Sequence, residues 1–206
     1  MFAFAPIAMN HRLQCQCGAL RGHVGNIHLA VRGVCYCKDC RAYSRHLGQL
    51  DASHDSAGGV EFVATQGMHV SFEGNTQQLA CLSLSKNGLL RWYAKCCNTP
   101  IANTTRNWKF PYVGLLHTCM KAESALYEQA FPKVQMRVNT GSARQEPPGM
   151  KLGTTISLLG FMPRVMASGI NGAYKQTPFF LPPSGSPRVE VNVLSAEERA
   201  SAYETV

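Results

Sequence analysis

From His11 to about His117 the chain runs as short apolar stretches broken by glycine, asparagine and serine: HRLQCQC, ALRGHV, NIHLAV, GVEFVA, HVSFEG, LACLSLS, LLRWYA and YVGLLH. Apolar and polar residues alternate within these stretches, which recur every 8 to 12 residues. That pattern predicts a predominantly β unit. Gly25-Asn26, Gly58-Gly59, Gly74-Asn75 and Asn87-Gly88 fall between the stretches, where residues that tolerate positive φ let a hairpin turn. After Cys37 the alternation stops, and KDCRAYSRHL predicts a helix of about two turns.

Beyond Met120 the character changes. A helix is expected over Glu123 to Phe131, followed by a Gly/Pro-rich linker, GSARQEPPG. Leu152, Ile156, Leu159, Met162 and Met166 then recur at helical spacing, with Leu158, Phe161 and Val165 widening the stripe. This helix is expected to be kinked or interrupted at Pro163. Its stripe is read as covering one edge of the β unit, with another subunit or a membrane surface as alternatives. A second linker, LPPSGSP, leads to a strand-like VEVNVL, and Ser195-Ala196-Glu197-Glu198 has the form of a capping box that opens a last helix. The expected organisation is a β domain over residues 10–119 and an extension over 120–206, with helices and linkers, that packs on it.

Composition adds that the chain can bury a core: 45% of its 206 residues are apolar and the mean hydropathy is −0.12. The longest apolar run, Ile156 to Met166, holds Pro163 and Arg164 and is too short to span a bilayer. No Lys or Arg precedes Arg12, so the charged start of a secretory signal is missing and the expected location is cytoplasmic. The net charge of +8 divides into +6 over residues 1–119 and +2 over 120–206, without a basic run. It is read as ordinary solvated charge or as a preference for anionic molecules. Trp92-Tyr93 and Trp108 could stack on nucleic-acid bases, but core packing is the preferred reading.

The nine cysteines carry the chemistry. In a reducing compartment, metal ligation or thiol chemistry is favoured over disulfides. Random placement would give roughly 0.35 pairs at any chosen spacing, yet Cys15-x-Cys17 and Cys35-x-Cys37-x-x-Cys40 supply two C-x-C pairs and an overlapping C-x-x-C. On an extended strand residues i and i+2 share a face, so C-x-C sets two thiolates side by side. Cys35, Cys37 and Cys40 without an evident fourth ligand point to tetrahedral zinc with one position for an exogenous ligand, which suits activation of a thiol. A structural zinc closed by a distant ligand is the alternative. Cys96 and Cys97 are the best partners for Cys15 and Cys17 in a structural Cys₄ site. Because neighbouring side chains in an extended segment diverge, this requires a kink near Asn98-Thr99-Pro100. One or two zinc ions per chain are expected.

These motifs resemble those of the glutathione-dependent formaldehyde-activating enzymes and the related centromere protein V domains, whose signature is C-x-C-G, C-x-C-x-x-C-R and C-x-x-C-G-T. Cys15-Gln16-Cys17-Gly18 and Cys35-Tyr36-Cys37-Lys38-Asp39-Cys40-Arg41 match the first two. In the third, Ala94 stands where the family has its first cysteine and Asn98 where it has glycine, so that one structural ligand is either lost or replaced by Cys96 beside Cys97. The resemblance implies a β-tent fold of small coiled antiparallel sheets, a structural zinc on the first and third motifs, and a reactive zinc on Cys35, Cys37 and Cys40. It further implies carbon-sulfur lyase chemistry, or the reverse addition of a small thiol such as glutathione to an aldehyde. A non-catalytic zinc module that binds a protein or nucleic acid is the other class of function. Lys38, Arg41 and Arg45 share one face of the helix that follows the ligands. Arg41 and Arg45 are therefore candidate binders of an acidic thiol, against ordinary solvation of that face. His46 is a weaker candidate for the metal shell, and Cys81 and Cys119 are expected to be buried hydrophobes.

Overall fold

The structure is a computed structural model that describes residues 10–74, 76–120, 124–149 and 151–204. Its elements in chain order are β1 (Asn10–Gln14), β2 (Leu20–Gly25), β3 (Val31–Cys35), α1 (Lys38–His46), α2 (Leu50–Ser53), β4 (Val60–Gln66), β5 (Val70–Gly74), β6 (Leu79–Ser83), β7 (Leu90–Ala94), β8 (Thr99–Thr104) and β9 (Tyr112–Leu116). There follow α3 (Ser124–Ala130), β10 (Met136–Val138), α4 (Lys151–Asn171), β11 (Phe180–Leu181), β12 (Ser186–Pro187), β13 (Val191–Val193) and α5 (Ala196–Tyr203). The fold is mainly β, as the alternation predicts. The strands form a three-stranded sheet β1-β2-β5, a large sheet β10-β3-β4-β9-β8-β7-β6-β13, and a small β11-β12 ribbon.

The large sheet is mixed. Its centre is antiparallel, with β6 to β9 a meander, but β10 joins β3 and β13 joins β6 in parallel. Both outer strands come from the region after Met120, so the extension completes the sheet's edges as well as packing on it. Between the two sheets lies a core around Trp92, which is fully buried and donates its indole N–H to Thr104 Oγ1 at 2.9 Å. Cys81 and Cys119 are buried, as expected, and desolvation pushes each thiol up to about 12.

Local signals translate directly. Asn26 takes positive φ after β2 and Gly58 does so before β4, where a left-handed turn suits both residue types. Asn75, half of one expected turn, and Glu123, the expected start of α3, lie outside the described residues. Ser195 caps α5, its Oγ accepting from Glu198 N–H while the Glu198 carboxylate accepts from Ser195 N–H. Helix α1 occupies the predicted segment after Cys37.

Two expectations for α4 are corrected, its interruption at Pro163 and the direction its stripe faces. The helix runs through Pro163 without a break; Pro163 sits on the solvent side, where the carbonyl freed by its missing N–H can be hydrated. The stripe is also inverted. Leu152, Ile156, Leu159 and Met166 face outward, and the buried contacts come from Phe161 and Val165. Phe161 packs edge-on against Tyr112, and Gly169 lies against the Lys109 carbonyl. Equal apolarity on two faces of the helix hid which one the sheet takes.

The extension is locked in place by Arg32 on β3. Its guanidinium pairs with Glu61 at 2.5 Å and with Glu128 of α3 at 2.6 Å, donates to the Phe131 carbonyl, and lies over the Tyr127 ring. Tyr127 in turn donates its hydroxyl to Glu61. Arg32→Ala removes this cation from the part-buried Glu61, and urea unfolding is expected to show a loss of about 3 kcal/mol.

Candidate metal centres and the cavity above one of them

The end of β3 and the start of α1 place the first cluster. Cys35 closes the strand, Cys37 is the N-cap of α1, with its sulfur accepting from Cys40 N–H at 3.3 Å, and Cys40 lies in the helix's first turn. The three sulfurs lie within 4.8 Å of one another, close enough to serve one ion. The α1 dipole favours negative charge at Cys37. Without a cation the crowding works against ionisation. Cys40 is pushed up to about 11 by its hydrogen-bonded neighbour Cys35 and by burial. At Cys37 the hydrogen bond with Cys35 pulls the other way, but Cys40 and burial outweigh it and hold the thiol at about 11. Cys35 is raised chiefly by Cys37. Three thiols that oppose one another's ionisation, with their sulfurs converging, suit a shared cation.

The second cluster joins the two sheets. Cys15 and Cys17 lie in the turn between β1 and β2, and Cys96 and Cys97 in the turn between β7 and β8. All four sulfurs lie within 4.8 Å of one another, the closest contact being Cys17 to Cys96 at 3.3 Å. The kink needed to bring adjacent cysteines together is present at Asn98, whose φ is 54°. Cys96 thus joins Cys15, Cys17 and Cys97 as the fourth sulfur of the group. Thr99 supports the arrangement, with its hydroxyl 3.0 Å from Cys97 Sγ and accepting from Gln16 N–H at 3.0 Å. Although burial opposes it, Cys97 is drawn down to about 6 by hydrogen bonds from Thr99 and from the Cys17 backbone, whereas burial and three neighbouring thiols push Cys96 well up. Negative charge is thus favoured at Cys97 and opposed at Cys15 and Cys96. Both clusters could therefore hold a metal, one with three sulfurs and the other with four.

The clusters differ in what lies above them. A cavity of about 240 Å³ opens over Cys35, Cys37 and Cys40, walled by Val60 and Phe62 of β4, Tyr112, Gly114 and Leu116 of β9, Asn103 of β8 and Arg91 of β7. The i, i+2 alternation of β4 and β9 turns these residues to one face of the large sheet. Beside the β10 edge, Asn139 donates to Cys35 Sγ at 3.3 Å from a left-handed backbone, φ 57°. Gly114 makes room for Tyr112, since a Cβ there would stand 2.7 Å from the tyrosine hydroxyl oxygen.

Arg91 supplies the cavity's positive charge. It is 2% exposed, lies 4.0 Å from Cys40 Sγ, donates to Asn103 Oδ1 at 3.2 Å and sits 3.8 Å from Asp39. Burial opposes its charge, but the thiols of Cys40 and Cys37 outweigh that and favour it. Tyr112 is raised by burial and by the nearby cysteines, so it keeps its proton.

The basic residues expected on this site are elsewhere. Arg41 is 2% exposed and donates to the carbonyls of Tyr36 and Ser142 at 2.6 and 2.9 Å, with a longer contact to that of Gly58; it braces the loop around the cluster and does not line the cavity. Arg45 and His46 face Glu197 and Glu198 of α5 across a separate groove. Helical spacing correctly put Arg41 and Arg45 on related turns, but α5 and the segment near Ser142 claim those faces. Arg91, Asn103, Tyr112 and Asn139 were not identified from sequence. The available signal was Arg91 itself, a charge set within the apolar strand LLRWYA.

A protein-family model matches residues 8–192. The chain belongs to DUF6151, a family of unknown function. No curated protein matches it. The match takes in both cysteine clusters of this DUF6151 protein and every strand of the large sheet except the end of β13, and it stops before α5.

Metal analysis of the purified protein is expected to give two ions per chain, and Cys96→Ser to reduce this to one while the three-sulfur cluster stays loaded. Acid should weaken binding at that cluster. Its thiols are protonated at neutral pH when no metal is bound, so loading releases up to three protons, and the apparent affinity falls by up to about a thousandfold per pH unit between pH 8 and 6. Chelator competition at stepped pH measures the slope.

Proposed function

We propose that the three-sulfur cluster is a reactive zinc site and that the protein is a carbon-sulfur lyase, or the corresponding thiol-aldehyde adduct enzyme, acting on a small thiol. One contrast carries this reading: the Cys₄ cluster supplies a full tetrahedral set from the chain, whereas the Cys35-Cys37-Cys40 cluster supplies three ligands beneath a cavity. A bound zinc ion would supply the Lewis acidity that keeps an added sulfur deprotonated at neutral pH. The motif resemblance points the same way and names glutathione as one such thiol.

The chain's residues then have definable tasks. In the adduct direction a bond forms between the thiol sulfur and the carbonyl carbon, the carbonyl π pair moves to oxygen, and the proton given up by the thiol ends on that oxygen as a hydroxyl. Cleavage is the reverse. Arg91 lies beside Cys40 and offsets the negative charge that gathers as a further sulfur joins three thiolates. Tyr112 holds a proton by virtue of its burial and lines the same cavity, so it can donate a hydrogen bond to the oxygen that gains charge. Phe62, Val60 and Leu116 exclude water from the reacting carbon.

Zinc K-edge absorption, recorded with and without a thiol, tests the reading. The three-sulfur site should gain a sulfur ligand when thiol is added. A fourth protein ligand that is unchanged by thiol would mark a non-catalytic module and overturn the proposal. Arg91→Met is expected to lower turnover of S-hydroxymethyl thiols by about 10- to 100-fold with metal content unchanged, and Cys37→Ser should abolish both turnover and metal at this cluster.

A further inference from the structure

The outward face of α4 plays no part in the chemistry above, yet its composition is the least expected feature of the surface. Leu152, Ile156, Leu159, Met166 and Ile170 are 75%, 60%, 71%, 60% and 86% exposed. With Pro163 they recur at alternating four- and three-residue steps, forming one continuous apolar strip that at the α-helical rise is about 27 Å long. The strip cannot simply roll inward. Phe161 and Val165 are buried on the opposite side, Thr154 exchanges hydrogen bonds with the Arg137 backbone, and Gly169 sits so close to the Lys109 carbonyl that a Cβ would stand 2.8 Å from its oxygen. The orientation is built in, and a contiguous apolar patch of this kind marks an interaction site.

Charge selects the partner. Between Glu146 and Glu190 the sequence has no acidic residue, while it carries Lys151, Arg164, Lys175 and Arg188. Arg164 projects from α4 itself, and Lys175 follows the helix's C-terminal end in a turn where Tyr174 meets Trp108 edge-on at 4.7 Å. A second copy docking through this face would bring the same positive charges together, with no carboxylate in residues 147–189 to pair them. An anionic lipid surface offers an apolar layer for the leucines and isoleucines and negative headgroups for the flanking cations. No helix among the described residues is long and apolar enough to cross a membrane, so α4 would lie in the plane of the interface.

We propose that α4 is a peripheral docking helix through which the protein binds an anionic lipid bilayer. The proposal is independent of the chemistry assigned to the cysteine clusters. Co-sedimentation of the full chain with vesicles of phosphatidylcholine, with and without about one-third phosphatidylglycerol, tests it. The expected result is binding to the anionic vesicles, at least about tenfold weaker on phosphatidylcholine alone and in high salt. Leu159→Glu and Ile170→Glu should each reduce binding by at least about tenfold without changing the melting temperature, because both side chains stand in solvent. Absence of binding to anionic vesicles, or equal binding by wild type and both variants, overturns the proposal. So does sedimentation velocity showing a dimer that Leu159→Glu dissociates while the wild type ignores vesicles, which would assign the strip to a second copy.

Discussion

Three thiol sulfurs held within 4.8 Å of one another oppose each other's ionisation, because each proton lost adds a negative charge beside the next. The rest of the site is arranged around that conflict. Strand β3 ends and α1 begins within two residues, so the backbone cannot draw the sulfurs apart without undoing either the strand or the helix cap. Asn139 touches one sulfur and Arg91 approaches another, both from elements far away in the sequence. A cation at the centre would turn mutual repulsion into shared attraction, and local folding and metal binding would then be linked.

The two clusters divide the labour of the fold. The four-sulfur cluster brings the β1-β2 turn to the β7-β8 turn, and a metal held there would clamp the small sheet onto the large one. Its ligands come as two pairs with about eighty residues between them, and closing so long a loop carries a large entropic cost that a metal clip can offset. The three-sulfur cluster fastens nothing comparable, since its ligands are nearly adjacent in the chain. Its neighbours instead define a space.

Legibility followed the range of the interactions involved. Strand alternation, the turn asparagines, the α1 segment and the Ser195 capping box are set by residues close in sequence, and each could be read there. The cysteine groupings were legible because ligand spacing is itself a local signal, and even the kink at Asn98 followed from the need to converge Cys96 with Cys97. What sequence could not reveal was competition for faces. Arg41 was read as a binder of an acidic thiol, yet the carbonyls of Tyr36 and Ser142 claim its guanidinium. In α4, Phe161 and Val165 won the sheet over a stripe of equal apolarity, because Tyr112 offered a ring to pack against and Lys109 left room only for a glycine. The cavity's wall comes from β4, β7, β8 and β9, and their convergence depends on the order of strands in the sheet, which periodicity does not encode.

The sheet's two outermost strands are short, parallel to their neighbours and encoded late: β10 covers β3 about a hundred residues after it, and β13 covers β6 at a similar remove. While the polypeptide emerges from the ribosome, this hydrogen-bonding edge of β3 therefore stands bare until Val138 has been made, and that of β6 until Val193 has been made. Truncation near the C-terminus would leave the cysteine clusters intact in sequence but expose β6 as a template for intermolecular pairing, so the last few dozen residues act as a safeguard against aggregation.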